Sequence, residues 1–176
     1  MNYVVADNYL CFLALLEMIL REKGARITQY DLAEMTSVVI PKGHSVRIKN
    51  VRYSTCQDDY GVSVTPLILR KIFSKLGISI DVLYLDALRI NEFELAELLQ
   101  EYLSQGKHVV FAFSYGVLYN KNPYFDLGHV SLLEQVINED LIQVYDPGPD
   151  APGKKNVRIS DMYDAMRKKG GLYIFG

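Results

Sequence analysis

The sequence predicts an α+β domain in which a helical half comes first and packs on an antiparallel sheet half. Three observations predict it. Apolar residues at helical spacing, closed by glycines, fill much of the earlier part of the chain. Short apolar runs bounded by turn residues fill the later part. No repeat, low-complexity segment or Pro/Gly-rich linker divides the 176 residues, so one domain spanning 1–176 is expected.

Residues 10–23 carry Leu10, Leu13, Leu15, Leu16, Ile19 and Leu20 and stop at Gly24. That pattern reads as a buried helix ended by a glycine able to take positive φ. Asp7 and Asn8 stand ahead of it as candidate N-caps. A shorter helix is expected at 29–36, with Thr28 as its cap. Residues 41–61 are polar and read as a surface excursion with a short strand near 45–51. Leu67, Leu69, Ile72, Phe73 and Leu76 give 65–76 a helical period, with Pro66 in the first turn and Gly77 at the stop. A strand is expected at 78–85. Residues 91–104 form the clearest amphipathic helix, with Phe93, Leu95, Leu98, Leu99 and Leu103 toward the core and Gly106 closing it. A buried strand at 108–114, a polar loop, and strands at 130–137 and 141–145 follow. Asn138, Glu139 and Asp140 join the last two as a hairpin. A short helix at 160–168 and a strand at 172–175 complete the reading.

With 49% hydrophobic and 23% charged residues, the composition is that of an ordinary soluble globular protein. A formal net charge of −2 supplies no long-range attraction for nucleic acid or an anionic membrane. The longest apolar run, residues 9–16, is too short to span a bilayer, and residues 1–7 do not resemble a signal peptide. The two cysteines are Cys11 and Cys56, and one lies in a chemically suggestive place. A reduced, cytoplasmic setting is therefore expected rather than a structural disulfide. No His/Cys/Asp/Glu spacing matches a zinc site and no Gly-rich phosphate loop is present, so neither a metal nor another cofactor is expected.

Cys11 falls at the start of the first helix. The N–H groups and macrodipole there favour an anion, and the thiolate is the nucleophilic form of cysteine. The same N–H groups can face the oxyanion of an attacked carbonyl. Taken alone, such a residue also reads as an inert core cysteine. His129 follows Gly128 and opens one strand of the hairpin, and Asp146 closes the other ahead of Pro147. With Asn138 and Glu139 as a two-residue turn, Asp146 lies opposite Ser131, on the face that Ser131 shares with His129. An imidazole and a carboxylate can hydrogen-bond across that diagonal. An odd loop puts them on opposite faces, and the sequence does not set the loop length. The pair then reads as surface polar groups at strand ends. On the first alternative, Cys11, His129 and Asp146 form a candidate triad of nucleophile, base and orienting acid.

Cys56 lies in a polar stretch and reads as an incidental exposed thiol. His44 is a loop residue that could line a cleft, and His108 reads as structural. Residues 146–150 read as a turn rather than a calcium loop. Tyr115, Tyr119 and Tyr124, among 13 tyrosines, sit just ahead of His129. Their loop either covers a cleft and binds an extended or aromatic ligand, or is ordinary amphipathic surface.

The run from Cys11 to Leu20, with Gly24 beyond it, resembles the nucleophile helix of the bacteriocin-leader peptidases, papain-like enzymes that cut after double-glycine leaders. Cys11, Ala14, Leu16, Met18 and Gly24 fall on that helix's pattern. Residues 106–113 resemble the family's Gly-x-x-Val-apolar strand. Gly128-His129-Val130 and Val144-Tyr145-Asp146-Pro147 resemble its His strand and its Asp-Pro. The resemblance runs from residue 5 to 176. It implies a papain-like fold with a cleft between the helical and sheet halves, and a Cys11-His129-Asp146 triad. Two positions depart from it. The family carries a Gln six residues before the nucleophile, donating into the oxyanion hole, whereas this chain has Val5. Asn8 is the nearer candidate substitute and Asn2 the other. Loss of one such donor costs about 2.7–4 kcal/mol of transition-state stabilisation. Phe12 stands where the family prefers a small residue, and either narrows the acyl site or packs in the core.

These readings converge on a cysteine hydrolase acting on a peptide or other amide bond, with Asn8, Tyr115 and Tyr119 as candidate oxyanion and substrate-binding residues. The expected partner is that substrate; without the membrane segments that exporter-fused family members carry, the chain is expected to act alone or with a separate partner protein. Neither nucleic acid binding nor membrane embedding is expected. Two alternatives stay open. One is an acyltransferase of the same fold, resembling the butirosin-pathway enzyme, that passes an acyl group from Cys11 to an amine. The other is a peptide-binding module without turnover.

Overall fold

A computed structural model describes residues 1–120 and 127–176, the side chains at 58 and 120 excepted. The protein is a mixed α+β structure with an N-terminal helical region and a multi-strand antiparallel sheet. The chain divides into two compact units, residues 1–80 with 147–152, and residues 81–146 with 153–176. No helix among the described residues is long and apolar enough to cross a membrane.

In the first unit, α1 (Cys11–Glu22) is buried continuously from Phe12 through Leu20. A helix apolar on nearly every side has no other stable place in water. Its N-cap is Leu10, without a side-chain hydrogen bond, rather than Asp7 or Asn8. Those two residues form a turn ahead of the helix, where the Leu10 N–H donates to Asp7 O at 3.0 Å and the Asn8 N–H to Asp7 Oδ1 at 2.8 Å. The one charged residue inside the buried stretch, Glu17, accepts from the Gln29 backbone N–H and pairs with Arg21. A buried carboxylate needs such partners.

Helix α2 (Gln29–Met35) begins with a capping box between Thr28 and Asp31. Helix α3 (Pro66–Leu76) has Thr65 as N-cap, Pro66 in its first turn and Gly77 at φ 66° after its end. Its buried stripe is Leu69, Ile72 and Phe73, while Leu67 is 61% exposed. A small sheet joins β1 (Val38–Pro41), β2 (Val51–Ser54) and β3 (Gly61–Val62), with β1 parallel to β2 and antiparallel to β3. The sequence reading placed no strand at β1 and placed the next one earlier than β2. Residues 147–152 join this unit, in which the Ala6 N–H donates to Pro147 O at 2.7 Å.

The second unit is a six-stranded antiparallel sheet of β4 (Val82–Asp86), β5 (His108–Ser114), β6 (Gly128–Asn138), β7 (Leu141–Asp146), β8 (Gly153–Arg158) and β9 (Gly171–Phe175). Their order is β4-β9-β5-β6-β7-β8. Helices α4 (Leu95–Ser104) and α5 (Ile159–Lys168) pack against it. Leu95 and Leu99 of α4, Met162 and Met166 of α5, and Phe111 and Leu172 of the sheet all lie in one core. Phe93 departs from the expected amphipathic pattern. It belongs to a 3-10 turn, Glu92–Glu94, that precedes α4 and is capped by Asn91, and it is 92% exposed.

Strand β9 enters between β4 and β5 through Gly170 and Gly171. A Cβ at Gly170 would stand 2.1 Å from Ala112 O, and one at Gly171 would stand 2.1 Å from Leu85 O. Only glycine fits at either place. Strand β8 was not anticipated, because Gly-Lys-Lys-Asn-Val-Arg has little apolar signal. Lysines are the usual protection of an edge strand, and β8 is an edge.

Candidate active site

The β6–β7 hairpin builds the centre of the site. Its turn is Glu139–Asp140, one residue later than the two-residue turn considered from the sequence. Pairing starts at Asn138↔Leu141 and reaches Leu133↔Val144 and Leu132↔Tyr145 after two one-residue shifts. Unshifted, five further steps from Asn138↔Leu141 would put Asp146 across from Leu133. The shifts move it across from Ser131. One shift would have sent its side chain to the other face, whereas two preserve the face and shorten the reach to His129.

His129 Nε2 and Asp146 Oδ1 are 2.7 Å apart. The Asp146 side chain is 1% exposed and that of His129 11%. A carboxylate can only accept, so the bond places a proton on Nε2 and proton exchange with a further group falls to Nδ1. The other carboxylate oxygen, Oδ2, accepts from Lys155 Nζ at 2.8 Å. The site therefore has a charged member that the sequence reading missed. Lys155 lies on the unrecognised strand β8, so no local signal pointed to it.

Aromatic rings hold the imidazole. Phe113 pairs with His129 across β5 and β6, with ring centroids 5.6 Å apart and nearly perpendicular planes. Tyr115 meets the imidazole in a T-shaped contact at 5.3 Å and meets Tyr119 in a second T-shaped contact at 4.8 Å. Tyr119 lies on a π-helical turn, Gly116–Asn120. Burial first, and then the charge of Asp146, push its hydroxyl well above the ordinary tyrosine value of 10.0, with Ser131 easing the shift. Tyr119 thus stays neutral at physiological pH. Neither Tyr119 Oη nor Ser131 Oγ makes a hydrogen bond of ordinary geometry, although both are buried. Tyr115 therefore packs against the imidazole, and Tyr119 packs against Tyr115 and Phe113. Tyr124 lies outside the described residues.

Cys11 is the first residue of α1, partly exposed and not in a disulfide. The first N–H groups of a helix have no intrahelical acceptor. Phe12 is only 6% exposed, so its ring packs inward. Val5 is 50% exposed, but its carbonyl accepts from Gln29 Nε2 at 3.0 Å, and Gln29 Oε1 accepts from the Asp7 N–H at 2.9 Å. Gln29 thus clamps the extended chain leading to α1. Tyr9, two residues before Cys11, takes φ +67°, a strained conformation for a non-glycine residue. Its hydroxyl meets His44 Nδ1 at 3.0 Å and its ring contacts Tyr60. His44, read as a loop residue, belongs to this cluster. Asn8 is exposed in the turn before α1, and Cys56 is exposed. Among the described residues, no three His, Cys, Asp or Glu side chains gather as metal ligands.

No protein-family model matches this chain, and no curated protein matches it.

Proposed function

We propose that the protein is a cysteine hydrolase of papain-like fold that cleaves a peptide or other amide bond. Cys11 is the nucleophile, His129 the base and Asp146 the residue that orients the imidazole. The observation that carries this reading is the 2.7 Å bond from His129 Nε2 to a carboxylate that is 1% exposed. That bond selects the tautomer and holds the ring, which is the task of the third member of a triad. The position of Cys11 at the first residue of α1 supports the rest, since a helix start favours a thiolate and offers N–H groups to an oxyanion.

In the proposed reaction His129 Nδ1 takes the thiol proton as sulfur attacks the carbonyl. The amine leaves with that proton, and a thioester remains on Cys11. His129 then takes a proton from water, which attacks the thioester, releases the acid and restores the thiol. The proposed setting is the cytoplasm, where the thiol stays reduced.

Iodoacetamide labelling tests the reading. Cys11 should react at neutral pH about tenfold or more faster than Cys56, and His129→Ala should abolish the difference. Acyl-Cys11 released by water identifies a hydrolase, and release only by an added amine identifies an acyltransferase. Equal labelling of the two cysteines, unchanged by His129→Ala, would leave a binding module and remove the catalytic reading.

A further inference from the structure

We propose that Lys155 is a positioning residue that sets the basicity of His129 through the carboxylate the two share. This deepens the reading of His129 as a base, and rests on it for the functional consequence. The geometry stands apart from that reading. Asp146 Oδ1 meets His129 Nε2 at 2.7 Å and Oδ2 meets Lys155 Nζ at 2.8 Å.

The sheet puts the lysine there. Asp146 pairs with Gly153 and Val144 with Lys155, so Lys155 is the diagonal neighbour of Asp146 on one face. The residue directly opposite Asp146 has no side chain, so the diagonal lysine reaches the carboxylate. Its ammonium also sits 4.4 Å from the Tyr119 ring centroid, a cation–π contact that fixes it independently of the carboxylate.

A carboxylate bonded to imidazole favours the protonated ring, and a positive charge on the other oxygen opposes that preference. Lys155 therefore keeps Asp146 ionised while making His129 easier to deprotonate. A general base works best when its proton affinity matches the operating pH. The other titratable groups nearby do not take over this role. Tyr119 is neutral, since burial holds its proton. Tyr115 meets His129 in a T-shaped ring contact. The Lys169 side chain passes beside Gly128, and Lys154 is paired with Glu134 at 2.8 Å.

The test is an NMR titration of the His129 ring in the full chain. Lys155→Met should raise its midpoint by about one pH unit, and Lys155→Arg should leave it within ~0.3 unit of wild type. A Lys155→Met midpoint equal to that of wild type would overturn the proposal, whatever happens to thermal stability. Lys155→Gln gives the same comparison should the methionine variant fail to fold. In wild type, the Lys155 side-chain resonance should move as His129 protonates, and a flat trace would also overturn the coupling. Failure of the hydrolase reading is seen separately, as Cys11 labelling that ignores His129 while the titration still responds to Lys155.

Discussion

His129 and Asp146 meet at 2.7 Å because the hairpin that carries them slips twice between its turn and its open end. The extra residues on β6 fall between Leu133 and Gln135 and between Val136 and Asn138. Deleting either one would change the face on which Asp146 meets β6.

The charge of Asp146, and not its shape alone, supports the base. Asp146→Asn is expected to lower the Cys11 labelling rate about tenfold, toward that of Cys56, because the amide can donate an N–H to Nε2 and select the tautomer that carries its proton on Nδ1. Circular dichroism should report a folded chain. An unchanged labelling rate in a folded variant would separate the His129–Asp146 bond from catalysis.

Glu17 makes stability depend on pH. Burial is the leading influence and raises its carboxyl above the ordinary glutamate value of 4.5, against the opposing pull of the Gln29 N–H and Arg21. An acid with a raised value in the folded state binds more protons folded than unfolded. Its contribution is therefore fully present below the unfolded value and is lost as pH rises through the folded one. Glu17→Gln removes that slope. In urea unfolding, the variant should gain on wild type as pH climbs from 4.5 toward neutrality. A constant difference across that range would contradict the assignment.

Gly171→Ala should be severely destabilising. The added methyl meets Leu85 O at 2.1 Å, a backbone atom that cannot swing aside. A loss of about 3 kcal/mol or more is expected in denaturant unfolding, at the upper end of overpacking costs. Gly24→Ala is the control for a positive-φ glycine in open space, since no atom lies within 4 Å of its added Cβ. Its cost should be smaller, and equal costs would argue against close approach as the cause.

Much of the fold was legible in the chain because its signals are local. Helical spacing marked α1 and α3, Thr28 and Pro66 marked two helix starts, and Gly77 marked a stop. The same signals brought His129 and Asp146 under attention as strand-end residues beside glycine and proline. Local spacing also misled. It turned Phe93 inward, although a 3-10 turn before α4 leaves that ring in water.

By itself, the sequence determined which segments had to bury an apolar face, where they stopped, and which side chains could do thiol and imidazole chemistry. The tertiary structure decided the pairings. It recruited polar β8 as an edge strand, placed the two register shifts, and brought Lys155 onto Asp146. Periodicity and turn chemistry are written over a few neighbouring residues, whereas register and ion pairing depend on strands that meet only when the sheet closes.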